Sequence, residues 1–273
     1  MRLATEQAGS GPPIVLVHGL TATRRYVVHG SRLLERSGFT VLSYDARGHG
    51  ESDPAADRSA YEYRDLISDL ERVLDQHQLE RPLLVGASMG AATALAYALA
   101  HPERVAGLVQ VTPAHLGLPV SDPERLEYWD RLANGLESDG VEGFMRAIGA
   151  PAIDERFRGL VMQAIRQRIE RHQPPQAVAD ALRVVPRSQA FEGPELLGAL
   201  EPPTLIVGSR DETDPDHPLE VAERYSELIP DARLILEEPG QSPIAWRGAA
   251  LSRAILEFVQ PLLQNRASVR GHS

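Results

Sequence analysis

The stretch Leu83-Leu84-Val85-Gly86-Ala87-Ser88-Met89-Gly90-Ala91-Ala92 decides how the rest of the chain is read. It opens on a short apolar run of strand character. It closes on a run, Ala91 to Ala100, rich in the best helix formers. Between the two lies Gly86-Ala87-Ser88-Met89-Gly90, a G-x-S-x-G pattern. A serine in that place sits on a tight strand-to-helix turn, with its hydroxyl exposed and its backbone strained. Glycines at 86 and 90 remove side chains that would clash across such a turn. The start of the helix adds free N–H groups and a positive dipole end, which suit a developing oxyanion. Ser88 is therefore a candidate nucleophile, against the plainer reading of a serine in an ordinary strand–helix turn.

Working outward, short apolar runs alternate with helical patterns, as in a parallel sheet with crossover helices. Strands are predicted at Ile14 to Val17, Phe39 to Tyr44, Leu83 to Val85, Leu108 to Val111, Thr204 to Val207 and Arg233 to Leu236. Tyr63, Leu66, Ile67, Leu70, Val73, Leu74 and His77 recur at spacings of three and four, which predicts an amphipathic helix. Leu251, Ala254, Ile255, Phe258, Val259 and Leu262 predict a closing helix, with a polar, frayed tail after Gln264. Between about Pro113 and Pro186 the alternation stops and only helices are expected. Asp122-Pro123 reads as an N-cap followed by proline at the first helical position. Leu126, Trp129, Leu132 and Leu136 form one apolar stripe, and Phe157, Leu160, Val161, Ala164, Ile165 and Ile169 a second. The expected organisation is an α/β core of residues 1–112 and 187–273, with a helical cap over residues 113–186.

Composition narrows the chemistry. The 273 residues carry 28 basic and 38 acidic side chains, a formal net charge of −10, and every basic residue is arginine. Without lysine there is no Schiff-base enzyme and no phosphate-loop lysine. Without cysteine there is no thiol nucleophile and no cysteine-bound metal. Codon bias accounts for both absences more simply than selection does. An acidic chain with scattered arginines suits neither nucleic acid nor an anionic membrane. Met1 to Gly11 lacks the basic start and apolar stretch of a signal peptide, and no apolar run reaches membrane-spanning length, so a cytoplasmic protein is expected. No cofactor or metal site is expected: Asp211, Asp214 and Asp216 alternate like a calcium loop but lack its glycine and closing glutamate.

Two further motifs flank the serine pattern in sequence. His18-Gly19-Leu20 follows the first predicted strand, where the N–H of Leu20 can stand beside that of Met89 as a two-donor oxyanion hole. His18 reads as a buried ring tying the turn to the backbone, ahead of a general base. Asp45-Ala46-Arg47-Gly48-His49-Gly50-Glu51-Ser52 follows the next strand, and its Asp45, Arg47 and His49 read as structural.

Together the His-Gly loop, the Asp-x-Arg-Gly-His-Gly-x-Ser turn, the Gly-x-Ser-Met-Gly elbow and the helical insertion resemble the α/β-hydrolase superfamily. The nearest branch is that of small esterases, C–C bond hydrolases and cofactor-free haloperoxidase-type enzymes, and the resemblance runs over residues 12 to 262. It implies a nucleophile–acid–histidine order, with Asp211 matching the acid. At the histidine position stands Gln241, which has no proton-accepting base near neutral pH. Loss of that histidine in a model protease lowers kcat by about 10⁶. His217 and His115 are the two candidates for a replacement base, His217 ahead of His115, against the plainer reading of each as a pocket-lining or surface histidine; His115, with Trp129, is also a candidate substrate contact. His29, His77, His101, His172 and His272 read as surface or helix residues. Arg166, Arg168 and Arg171 read as a solvated helix face ahead of an anion site. The expected function is a serine hydrolase of a small, mainly apolar ester or related carbonyl compound. Its rivals are a degenerate small-ligand-binding protein and a variant inactivated by a histidine-to-glutamine change. The sequence leaves substrate identity and oligomeric state open.

Overall fold

Strand-forming runs that are apolar on both sides can be buried only if helices cover both faces of their sheet. The computed structural model, which describes residues 1–149, 153–212, 214–247 and 249–270 with side chains up to 263, has this architecture. Its elements in chain order are β1 (Thr5–Gly9), β2 (Pro13–Val17), α1 (Leu33–Arg36), β3 (Thr40–Tyr44), α2 (Tyr63–Gln76), β4 (Leu83–Ala87), α3 (Met89–Ala100) and β5 (Gly107–Val111). Then follow α4 (Pro123–Ile148), α5 (Glu155–Ile169), α6 (Ala177–Val184), β6 (Thr204–Val207), α7 (Leu219–Leu228), β7 (Ala232–Ile235) and α8 (Ala250–Arg270). The seven strands lie in the order β1-β3-β2-β4-β5-β6-β7. All pairs are parallel except β1 with β3.

Alternate residues of the strands feed two apolar layers. Val15, Val17, Leu84 and Leu108 pack with α2 and α3 on one face; Ile14, Leu16, Val85 and Val109 pack with α1 and α8 on the other. Helix α3 is apolar all round and correspondingly buried along most of its length. Each large aliphatic side chain so buried contributes about 1.5–3 kcal/mol relative to exposure. Beside these layers, Arg47 grips buried Asp69 with a two-pronged contact at 2.6 and 2.9 Å, fixing the turn after β3 to α2.

The order of strands places a topological switch between β2 and β4, since the chain continues from β2 to one side and from β4 to the other. Ligand crevices form at such points, outside the carboxyl ends of the strands. The register puts Val17 opposite Gly86, Ala87 opposite Val111 and Val111 opposite Val207. The loops after β2, β4, β5 and β6 therefore leave from one edge.

The six predicted strands are all present, with ends shifted by no more than two residues. The sequence reading missed β1, because its Thr-Glu-Gln-Ala-Gly run is a mostly exposed antiparallel edge without an apolar signal. It also missed α7, whose buried side is Ala222 and Tyr225. Helix α8 runs on to Arg270, beyond the expected fraying at Gln264; the first glycine in that stretch is Gly271.

Helices α4 to α6 fall between β5 and β6. Asp122 caps α4 by accepting from Glu124 N at 3.0 Å, with Pro123 at the first position. The helix breaks at Asp139 and Gly140, which folds Gly143 back against Gly135 so closely that neither tolerates a Cβ. Leu132, Leu136 and Phe144 then join the apolar layer of α2 and α3. The second stripe differs from expectation: Leu160 is 46% exposed and Ile169 alone is buried on α5, because α5 lies outermost and packs lightly on α4. Among the described residues no helix is long and apolar enough to cross a membrane.

Two glycine substitutions test this packing. A Cβ at Gly90 would overlap the Val17 carbonyl, so Gly90→Ala should lower stability by about 3 kcal/mol or more. A Cβ at Gly159, inside α5, meets open space, and Gly159→Ala should raise stability by about 0.5–1 kcal/mol. Urea denaturation of both variants checks the pair; equal effects would contradict the packing described.

Candidate active site

Ser88 ends the β4 turn with φ 52° and ψ −115°, a strained conformation for a residue with a side chain. It is held there because its N–H donates to Val111 O at 3.0 Å. The glycines leave no alternative: a Cβ on Gly86 would overlap the Gly90 carbonyl, and one on Gly90 would overlap Val17. From the other side Gly19 closes on the serine, since a Cβ there would stand 3.2 Å from Ser88 Cβ and 3.8 Å from its Oγ. Met89 opens α3, where the first N–H groups have no intrahelical partner. The N–H of Leu20 likewise makes no hydrogen bond among the described residues. Ser88 Oγ itself is half-buried and makes none among them either.

The residues read as structural are placed as such. His18 is buried; its Nδ1–H donates to Gly19 O at 2.8 Å and its Nε2 accepts from Ala46 N at 2.9 Å. Buried Asp45 takes the N–H of Arg24 at 2.7 Å and an ion pair with its guanidinium. His49 is buried between Arg47 O at 2.9 Å and Leu20 O at 2.5 Å. His172, expected on the surface, is instead 2% exposed and reaches from the end of α5 into this cluster. Its Nδ1 accepts from Gly50 N at 2.9 Å and its Nε2 lies 3.2 Å from Thr21 O. Its polar neighbours in sequence gave no sign of this, because the burying partners are more than a hundred residues away.

His115 and Trp129 are half-buried. His115 Nδ1 accepts from Gly117 N at 3.1 Å and its Nε2 meets Tyr63 Oη at 2.9 Å, so both ring nitrogens are engaged. Trp129 packs edge-on against Tyr128.

After β6 the arrangement departs from the family pattern. Asp211 is half-buried and its N–H donates to Ser209 Oγ at 3.2 Å. The carboxylate that holds a histidine is Asp214, whose Oδ2 lies 2.7 Å from His217 Nδ1, while His217 Nε2 is buried with no partner among the described residues. Burial alone would raise the Asp214 carboxyl, but His217, Arg125 and Arg168 hold it below the ordinary range. Asp216 pairs with Arg125 of α4. Of the arginines on α5, Arg166 pairs with Glu142, whereas Arg168 turns inward and its Nε is buried without a partner among the described residues.

The organising acid of this edge is Glu237, which sequence reasoning did not single out. It is 5% exposed and accepts from Arg210 N at 2.6 Å, Ser209 Oγ at 3.1 Å and Ser242 Oγ, binding the loops after β6 and β7 together. Gln241 stands beyond it in a tight turn, its N–H on Glu238 O at 3.2 Å, and its side chain is exposed. Position 241, where the resemblance implies a histidine, therefore faces outward on a loop whose inner side Glu237 holds.

The profile of a family described as alpha/beta hydrolase fold matches residues 12–248. Over 269 residues the chain is 29% identical to a 2-hydroxy-6-oxononadienedioate/2-hydroxy-6-oxononatrienedioate hydrolase of Cupriavidus pinatubonensis, covering 94% of this chain and 90% of the relative. It is 34% identical over 107 residues to epoxide hydrolase B of Mycobacterium tuberculosis, covering 39% of this chain and 30% of the relative. The chain spans about half the length or less of the first curated relatives it matches, 52% and 30%. Among solved structures, a thermophilic esterase from Thermogutta terrifontis superposes with a TM-score of 0.77 at 28% identity, covering 95% of this chain and 93% of that one.

Four histidines, three buried and His115 half-buried, make stability depend on pH. Burial holds His18 and His115 down at about 4, and pushes His49 and His172 below their ordinary value as well. In the unfolded chain each takes a proton near pH 6.5, so below that pH the unfolded state binds more protons than the folded one. Stability should be level above about pH 7 and fall steadily from about pH 6.5 towards pH 4. Urea midpoints measured across this range test the sign, and a midpoint unchanged down to pH 5 would contradict it.

Proposed function

Because the chain belongs to the alpha/beta hydrolase fold family, we propose that it is a serine hydrolase of small ester or related carbonyl compounds. One arrangement carries the proposal: Ser88 on its strained turn, between Met89, which opens α3, and the Gly19-Leu20 loop that closes on it, with the N–H groups of Leu20 and Met89 unbonded among the described residues. Ser88 Oγ attacks the carbonyl carbon, and the two N–H groups hold the oxygen as it gains charge. The serine proton passes to a base, which returns it to the leaving alcohol. Water then repeats the sequence in reverse roles and frees the acid.

The base in this scheme is His217. Its Nδ1 is oriented by Asp214 and its Nε2 is left with a lone pair to offer, whereas His18, His115 and His172 have both nitrogens engaged. The loop that carries it begins at the end of β6, two strand spacings or about 10 Å from the serine turn. Asp211, the family's acid position, lines the start of that loop. The insertion of residues 113–186 serves as a cap, with Trp129 and His115 facing a mainly apolar substrate. The names of the relatives, hydrolases of esters, epoxides and carbon–carbon bonds, support a hydrolase and leave the scissile bond to experiment.

A second reading, a ligand-binding protein without turnover, draws on Gln241 at the histidine position and on the lack of a described hydrogen bond to Ser88 Oγ.

Steady-state hydrolysis of short aryl esters separates the two readings. Ser88→Ala should abolish turnover. His217→Ala and Asp214→Asn should each lower kcat by about 10²–10⁴, with KM little changed. Gln241→His should change kcat less than tenfold, since position 241 faces outward. A gain of several orders of magnitude in Gln241→His would show that the native chain lacks a base and overturn His217 in that role. Wild type and Ser88→Ala equally inert on every ester would favour the binding protein.

A further inference from the structure

Three consecutive carbonyl groups after β2 are each met by a different histidine. Gly19 O takes His18 Nδ1–H, Leu20 O lies against His49 Nε2, and Thr21 O lies against His172 Nε2. The rings form one buried row, with centroids 5.1 Å apart between His18 and His49 and 5.5 Å between His49 and His172. The far nitrogens of the two outer rings accept backbone N–H groups, from Ala46 on His18 and from Gly50 on His172. Those acceptances fix neutral tautomers: Nδ1–H for His18 and Nε2–H for His172. Among the described residues no three His, Asp or Glu side chains are arranged to hold a metal ion, and these nitrogens are already committed to the backbone.

A trans peptide points its C=O and N–H in opposite directions. Holding Gly19 O down on the histidine side therefore aims Leu20 N–H the other way, and holding Leu20 O aims Thr21 N–H. Gly19 packs directly on Ser88, so the serine side is where the freed N–H groups look. His18 and His49 belong to the core loops, but His172 comes from the end of α5, and the next residue, Gln173, also donates to Gly50 O at 2.8 Å.

We infer that His172 is a positioning residue: with His49 and His18 it clamps the carbonyls of the Gly19–Thr21 loop, so that docking of the insertion sets the aim of the Leu20 N–H. The inference rests on the reading of Leu20 as an oxyanion donor. The clamp works with neutral rings, and a neutral His49 has one N–H to give: the clamp assigns it to Leu20 O at 2.5 Å, the shorter of its two carbonyl contacts, over Arg47 O at 2.9 Å. The groups that face it are His18 and His49 from the core loops, Asp45 and Arg24 beside His18, and Arg168 from α5.

Two measurements on His172→Phe, which fills the space without the hydrogen bonds, test it. Amide hydrogen exchange over residues 20–24 should speed up by about tenfold or more while α2 and α3 keep their protection. On a short aryl ester kcat should fall about 10–100-fold with KM within about threefold, less than the 10²–10³ of a donor removed outright. His172→Gln, whose amide keeps a donor and an acceptor, should recover part of both. Unchanged exchange overturns the clamp whatever the activity. Faster exchange with full kcat overturns the positioning role. A wild type inert on all esters counts instead against the hydrolase reading, and exchange still decides whether the histidines hold the loop. If the variants fail to fold, nitrogen NMR of the wild type at pH 7 decides. His172 protonated on Nε2 and His18 on Nδ1 supports the clamp; the opposite tautomer or an imidazolium at His172 overturns it.

Discussion

The close approach of three backbones around Ser88 is the constraint on which the rest depends. The end of β2, the turn after β4 and the first turn of α3 meet at distances that admit no Cβ on Gly86 or Gly90, and only a tight one on Gly19. Any side chain there would push α3 off the sheet and relax the serine into ordinary φ/ψ space. With the side chains absent, the strain at Ser88 is held by Val111 O and by the burial of α3. Among the described residues the same approach leaves the N–H groups of Leu20 and Met89, from two different elements, without a hydrogen bond.

Around that point the protein invests in rigid polar cross-links. Arg47 and Asp69 fix the turn after β3, Asp45 and Arg24 fix the loop after β2, and Glu237 ties the loops after β6 and β7. Removing one partner of either ion pair costs about 3–5 kcal/mol, because the other is left charged and dry, whereas Glu237 is held by hydroxyls and a backbone N–H. The row of His18, His49 and His172 extends the same bracing with neutral groups, which avoids a buried charge beside the serine. The histidines that brace and the histidine proposed to move protons are therefore distinct by geometry: the former have backbone partners, whereas His217 has one carboxylate and, among the described residues, one open nitrogen.

Much of this was legible in the sequence wherever the signal is local. Apolar runs bounded by turns located β2 to β7, because burial on both faces needs unbroken apolar strands. The glycine spacing at 86 and 90 announced the turn at Ser88, since backbone contact is what those glycines permit. The edge strand β1 was hidden because an exposed antiparallel edge needs no apolar residue. His172 was hidden because its burial comes from Gly50 and Thr21, far away in the chain. Asp214 stands out in the sequence only as one of three alternating aspartates, because a matching family position says nothing about which carboxylate faces a histidine. Gln241 illustrates the same limit: the motif spacing that singles it out says nothing of its orientation, and with Glu237 holding the inner side of the loop its side chain is exposed.

The central claim is that Ser88 is an activated nucleophile with a base within reach. Reaction with a fluorophosphonate, followed by identification of the modified residue by mass spectrometry, tests it most directly. The account predicts labelling at Ser88 in the wild-type protein, at a rate that falls sharply in His217→Ala. Absence of any label at Ser88 in folded protein, at all pH values between 6 and 9, would contradict it.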